Sequence, residues 1–139
     1  MSEFELPDWI ADHLKRYTES NGEDGHMWNG VPCLLLTTKG KSSGEARTLP
    51  LIYGLAGDDP VIVASKGGAP NNPLWYENLA ANPEVAVQVG AEKFAANART
   101  TTGEQRTELW SRMLEIWPSY AEYQEKTERE IPVVILERT

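Results

Sequence analysis

VIVASKGGAPNNPLWY, residues 61–76, carries the chain from an apolar run through Ser65-Lys66-Gly67-Gly68 into a segment rich in proline, asparagine and aromatic residues. Val61-Ile62-Val63 has strand composition, and the spacing that follows predicts a helix over about 73–81. Asn72 is placed to cap that helix, Pro73 suits its first position, and Asn82-Pro83 ends it. A strand followed by a helix is one unit of a doubly wound parallel sheet if it repeats. The neighbouring elements therefore decide the fold.

They do not repeat it. Upstream, PCLLLTT (32–38) and ARTLPLIYG (46–54) read as strands, and PVIVASK (60–66) is a third. Only the turn clusters 39–44 and 57–59 separate them. Downstream, EVAVQVG (84–90) and KFAANARTT (93–101) are joined through Gly90-Ala91-Glu92, and IPVVILE (131–137) is the last strand. Thr102-Gly103-Glu104-Gln105 has capping-box spacing for a helix carrying Leu109, Trp110, Met113, Leu114 and Trp117, which Pro118 stops. Ser119-Tyr120-Ala121-Glu122 is a second such box, opening a short helix with Tyr120 and Tyr123 on one side. Residues 7–19 place Trp9, Ile10, His13, Leu14 and Tyr17 on one helical face. The order α-β-β-β-α-β-β-α-α-β, with short turns between strands, favours antiparallel pairing. The expected fold is mainly β, a small antiparallel barrel with peripheral helices.

Composition narrows the chemistry. At 139 residues, 40% hydrophobic and 24% charged, the chain suits one domain. A net charge of −8 argues against nucleic acid as a partner. The acidic start lacks a signal-like apolar core, so the expected location is the cytoplasm. One cysteine, Cys33, excludes an internal disulfide, and His13 and His26 lack metal-ligand spacing, so no metal is expected. There is no Ser-His-Asp set with usable histidines and no carboxylate pair in a recognisable frame. Such a protein either does not catalyse or takes its chemistry from a cofactor.

Two loops could hold an anion. Lys66 with Gly67 and Gly68, just before a helix, combines charge, close backbone approach and a helix N-terminus, although a plain turn reads the same way. The loop Lys39 to Gly44, with Lys41, Ser42, Ser43 and then Arg47, suits an anion, although by itself it reads first as a solvated hairpin tip. Tyr120 and Tyr123 carry hydroxyls that could face a flat substrate.

Three stretches, LLLTTKGKSSGEARTLPLIYG, VASKGGAPNNPLWYENLAANPEV and WPSYAEYQEKTEREIPVVILE, closely resemble the deazaflavin-dependent nitroreductase and quinone reductase family over about residues 31–138. The resemblance implies a flavin-reductase-like split β-barrel over 31–139 that binds coenzyme F420; residues 1–30, which it does not cover, read by their spacing as an amphipathic helix and linker. It implies that Ser65, Lys66, Gly67, Gly68 and Ala69 lie along the cofactor with Trp75 and Asn78. It also implies that Lys41, Ser42, Ser43 and Arg47 receive the phosphate and acidic tail. The family loop commonly reads Gly-Arg-Lys-Ser/Thr-Gly, so Ser42 stands where a cation is usual, a loss of about 1 kcal/mol for an exposed contact.

The implied activity is hydride transfer from reduced deazaflavin to a quinone, enone or nitroaromatic acceptor, with Ser65, Tyr120 and Tyr123 stabilising charge on the acceptor. The alternatives are an FMN-binding oxidoreductase of the same fold and a non-catalytic F420 carrier. Barrels of this type often pair through a sheet face, so a homodimer is an expectation. The N-terminal helix is expected to pack on the barrel, to act as a lid, or to touch a membrane weakly. Seven acids against two bases in residues 1–28 place the lid ahead of the membrane.

Overall fold

The computed structural model describes residues 8–28 and 30–139; the acidic start at 1–7 lies outside them. In chain order the elements are α1 (Asp8–Ser20), β1 (Met27–Trp28), β2 (Val31–Lys39), β3 (Ala46–Ile52), β4 (Gly54–Ala56) and β5 (Asp59–Val63). A 3-10 turn at Lys66–Gly68 leads to α2 (Leu74–Ala81), β6 (Glu84–Val89), β7 (Glu92–Thr100), α3 (Gly103–Ile116), α4 (Ser119–Glu125) and β8 (Val133–Arg138).

All strand pairs are antiparallel, in the order β3-β2-β6-β7-β8-β5-β4, with β1 on the first residues of β2. The sequence reads 46–54 as one strand, but it breaks at Tyr53. β3 then pairs with β2 while β4 pairs with β5, so the two ends of the sheet meet through one bent segment and the sheet curls on itself. Gly54 sits at the bend because α3 presses there: a Cβ at this position would lie 2.7 Å from the Met113 sulfur. The architecture is the expected split barrel.

Alternation explains which residues fill it. Leu34 and Leu36, Ile62 and Ala64, Val85 and Val87, Ala96 and Ala98, and Val134 and Leu136 enter one core with Trp75 and Leu79 of α2. The intervening residues of β5 and β8, Val61, Val63, Val133 and Ile135, join Leu109, Met113 and Tyr120 of α3 and α4 in a second core. β5 and β8 are therefore buried on both faces, which is why they read as unbroken apolar runs while β6 and β7 alternate.

The helix-capping expectations need correction. Pro73 is the N-cap of α2, with no side-chain cap bond, and the Asn72 amide oxygen instead accepts from Arg129. Thr102 is the N-cap of α3 but its side chain makes no cap bond, and Gln105 accepts from Arg99. α4 starts from Pro118, again without a side-chain cap. Asn72 and Gln105 thus each bond to an arginine side chain where the local pattern offered a cap.

α1 lies against β3 and is tied down by Tyr17, which is fully buried. Its hydroxyl lies 3.0 Å from the Cys33 carbonyl and 3.3 Å from that of Gln88, and it accepts from the Gly90 amide at 2.7 Å. Tyr17→Phe keeps the ring but leaves the Gly90 amide and the carbonyls unpaired, so equilibrium denaturation should show a loss of about 2 kcal/mol. Trp9 is the exception on the α1 face, because it stays 59% exposed. Among the described residues no helix is long and apolar enough to cross a membrane.

Candidate functional site

β5 leaves the sheet after Val63, and the Ala64 amide still reaches the Pro132 carbonyl at 3.0 Å. Beyond it Lys66, Gly67 and Gly68 take left-handed φ values of +48°, +63° and +86° in succession. A lysine there costs about 1–2 kcal/mol relative to ordinary backbone, so the loop is held by its surroundings and not by its own preference. Gly68 is pressed against α4, where a Cβ would lie 2.6 Å from the Tyr123 carbonyl oxygen. Gly67 is open, with nothing within 4 Å of a built Cβ.

That contact brings the two sequence candidates together. Ser65, Lys66 and Gly67 line one side of a cleft of about 530 Å³, with Trp75, Trp117, Tyr120 and Tyr123 also in its walls. The Tyr120 and Tyr123 rings meet edge to face with centroids 6.1 Å apart. Tyr120 is buried, and burial, with smaller contributions from Cys33 and Tyr123, raises its pKa well above the ordinary phenol value. It therefore stays protonated at neutral pH and can donate a hydrogen bond. The Tyr123 hydroxyl is 3.5 Å from the Trp117 indole nitrogen, and Lys126 lies 5.9 Å from the centre of the Tyr123 ring.

The roof of the cleft was not legible as such in the sequence. Trp28 stacks on Trp9 with centroids 5.8 Å apart and on His13 at 6.4 Å, and its other neighbour is Trp117 at 5.8 Å. This aromatic column joins α1 to the end of α3 and covers the cleft, whose floor includes Leu49 to Ile52 of β3. His13 is held by the Gly25 carbonyl at 2.7 Å, so its Nε2 donates. Burial pushes the Cys33 thiol up to about 12, which makes it an inert wall residue.

The hairpin loop between β2 and β3 is outside the cleft lining. Lys41, Ser42 and Ser43 are exposed, and Arg47 pairs with Glu45. Asn78 connects the regions: from α2 its amide oxygen accepts from the Lys41 backbone at 2.9 Å, and its nitrogen donates to Thr38 at 3.3 Å. Both ends of that amide are spent on shaping the hairpin loop. Gly68 and Ala69 likewise act through backbone position, Gly68 against α4 and Ala69 through a carbonyl that accepts from Arg129 at 2.9 Å.

The residues present fit a flat ring cofactor. The volume is in the range of roughly 300–1,000 Å³ usual for small-ligand sites, and the walls are apolar and aromatic with a few polar groups. The backbone beside Gly67 offers close approach, Lys66 lies on the loop before α2, and Lys41 lies on the hairpin loop that Asn78 of α2 holds. Among the described residues no group of three or more His, Cys, Asp or Glu side chains could hold a metal.

Comparison with known proteins identifies the family. Residues 9–138 match the family model described as F420H(2)-dependent quinone reductase, a match that includes α1. An F420H(2)-dependent quinone reductase of Mycobacterium tuberculosis is 42% identical over 130 residues, covering 91% of this chain and 87% of the relative. A solved F420-H2 dependent reductase is 46% identical with TM-score 0.71, covering 76% of this chain and 94% of the other. A second solved structure, described as a domain-swapped dimer, is 42% identical with TM-score 0.74, covering 94% and 98%. The fold, the cleft and these matches together establish that the chain belongs to the F420H(2)-dependent quinone reductase family.

Proposed function

We propose that this protein oxidises reduced coenzyme F420 and reduces a quinone, with enones and nitroaromatics as other electron-poor acceptors. The observation that carries the reading is one cleft with the Ser65 to Gly67 loop and the two tyrosines in its walls under an aromatic roof. Bound reduced F420 supplies the hydride. Ser65, Lys66 and Gly67 bind along it, and Trp75 and Pro73 hold the adjoining wall. The exposed lysines and serines of the hairpin loop meet the phosphate and acidic tail, with Arg47 at the base of that loop. Trp28 and Trp117 exclude water, which strengthens every dipole inside. Tyr120, kept protonated by burial, donates a hydrogen bond to the acceptor oxygen as charge develops there, and Ser65 and Tyr123 assist. α1 acts as the lid over the barrel domain, since Trp9, Ile10 and His13 belong to the cleft wall. Pairing of two copies stays within this reading, because a relative is described as a domain-swapped dimer.

Titration with F420 and, separately, FMN, followed by fluorescence, tests the cofactor; a quinone assay then tests turnover. Binding of FMN alone would replace the reading with a flavin enzyme, and F420 binding without turnover of any acceptor would leave a carrier. Lys66→Ala should raise the Kd for F420 by about tenfold, the loss of one charge-assisted contact, with little change in melting temperature. Unaltered affinity in a folded variant would remove this loop from the site.

A further inference from the structure

Arg129 stands in the charged stretch Glu128-Arg129-Glu130, where nothing in the local sequence distinguishes it from a solvated cation. In the fold it does not face solvent acids. Its Nε donates to the Ala69 carbonyl at 2.9 Å, Nη2 to the Ser65 carbonyl at 2.8 Å, and Nη1 to the Asn72 amide oxygen at 2.8 Å and the Ala64 carbonyl at 3.3 Å. Among the described residues it meets neutral acceptors and no carboxylate. All four belong to residues 64–72, the segment that carries the left-handed turn. Arg129 is itself fixed, because Gln124 donates to its carbonyl at 2.8 Å and accepts from the Ile131 amide at 3.0 Å.

Peptide geometry gives this clamp a direction. In a trans peptide the C=O and the following N–H point opposite ways. With the Ala64 and Ser65 carbonyls drawn to the guanidinium, the amides of Ser65 and Lys66 are turned away from it. Ser65 and Lys66 line the cleft, whereas Arg129 does not. The guanidinium therefore lies behind the loop, and five N–H groups in a rigid fork suit several carbonyls at once in a way an ammonium cannot. Partial burial lowers the Arg129 pKa, in keeping with a half-buried cation that binds backbone dipoles.

We propose that Arg129 is a positioning residue: by gathering the carbonyls of residues 64–69 it presents the Ser65 and Lys66 backbone donors to the bound cofactor. This rests on the proposed cofactor site. The Ser65 and Lys66 amides belong to the loop placed along the cofactor, so the clamp governs cofactor affinity and not acceptor affinity.

The test compares wild type with Arg129→Lys, and with Asn72→Ala as a milder loosening of the same clamp. F420 titration, amide hydrogen exchange of residues 65–69 without ligand, melting temperature, and KM for the quinone are measured on each. Arg129→Lys should raise the F420 Kd by about thirtyfold and Asn72→Ala by about threefold. Loop exchange should quicken in the same order while the quinone KM is held within twofold. Should Arg129→Lys fail to fold, Asn72→Ala alone decides, through its Kd and loop exchange. Wild-type affinity and exchange in a folded variant would overturn the inference while leaving the cofactor site intact. Failure of the wild type to bind F420 would overturn the cofactor site, and the inference with it.

Discussion

Gly68→Ala is expected to lower the melting temperature by roughly 10 °C and to weaken F420 binding by more than about tenfold. Two costs combine. At φ +86° any side chain is strained, by about 1–2 kcal/mol. The new methyl would also sit 2.6 Å from the Tyr123 carbonyl oxygen and 3.1 Å from its Cα, backbone atoms that cannot rotate away. Overpacking of this kind costs about 1–3 kcal/mol. Relief requires α4 to shift, and α4 carries Tyr120 and Tyr123, so both walls of the cleft are disturbed. Gly67→Ala is the control. It has a left-handed φ of +63° but open space around the methyl, so it should lose only about 1 kcal/mol. Differential scanning fluorimetry and F420 titration on both variants separate the terms. Equal effects at the two positions would mean that the contact with α4 carries no energy.

Tyr120→Phe is expected to reduce kcat by about a hundredfold, the usual scale for deleting one donor that faces developing charge. The ring packs against Trp110 and Tyr123, and phenylalanine preserves those contacts. Stability and F420 affinity should therefore change little, which separates this variant from Gly68→Ala. Tyr123→Phe should cost less, because the Tyr123 hydroxyl is partly engaged with Trp117. The pH dependence follows from the direction of the Tyr120 shift. Its pKa is raised above the ordinary 10.0, so the donor proton stays in place and its contribution to kcat is flat from about pH 6 to 9. The same sign governs stability. Above pH 10 the unfolded chain releases the Tyr120 proton while the folded chain keeps it, so unfolding is favoured as pH rises through that range. A stopped-flow pH profile with an inflection near neutrality, absent from Tyr120→Phe, would sink the role given to this phenol.

How much of the molecule was legible depends on where the interactions lie along the chain. Strand alternation in 84–90 and 93–101, the apolar runs of 60–66 and 131–137, and the punctuation by Gly, Asn and Pro all act between near neighbours. They predicted the helices and the longer strands to within a few residues, but not β1 or the division of 46–54 into β3 and β4. The local capping patterns misled, because Asn72 bonds instead to Arg129, 57 residues away, and Gln105 to Arg99 on the strand before α3.

The sequence by itself determined an antiparallel barrel with outer helices and two loops worth testing, since those follow from residue type and short spacing, while the cofactor-dependent chemistry came from the family resemblance of its motifs. Only the tertiary structure decided that the strand over 46–54 breaks to close the sheet, that α1 and Trp28 roof the cleft, and that Arg129 holds the glycine loop from behind. The clamp joins groups 57 to 65 residues apart through directional hydrogen bonds that exist only once the barrel has closed, and the roof likewise needs rings from separate elements to meet.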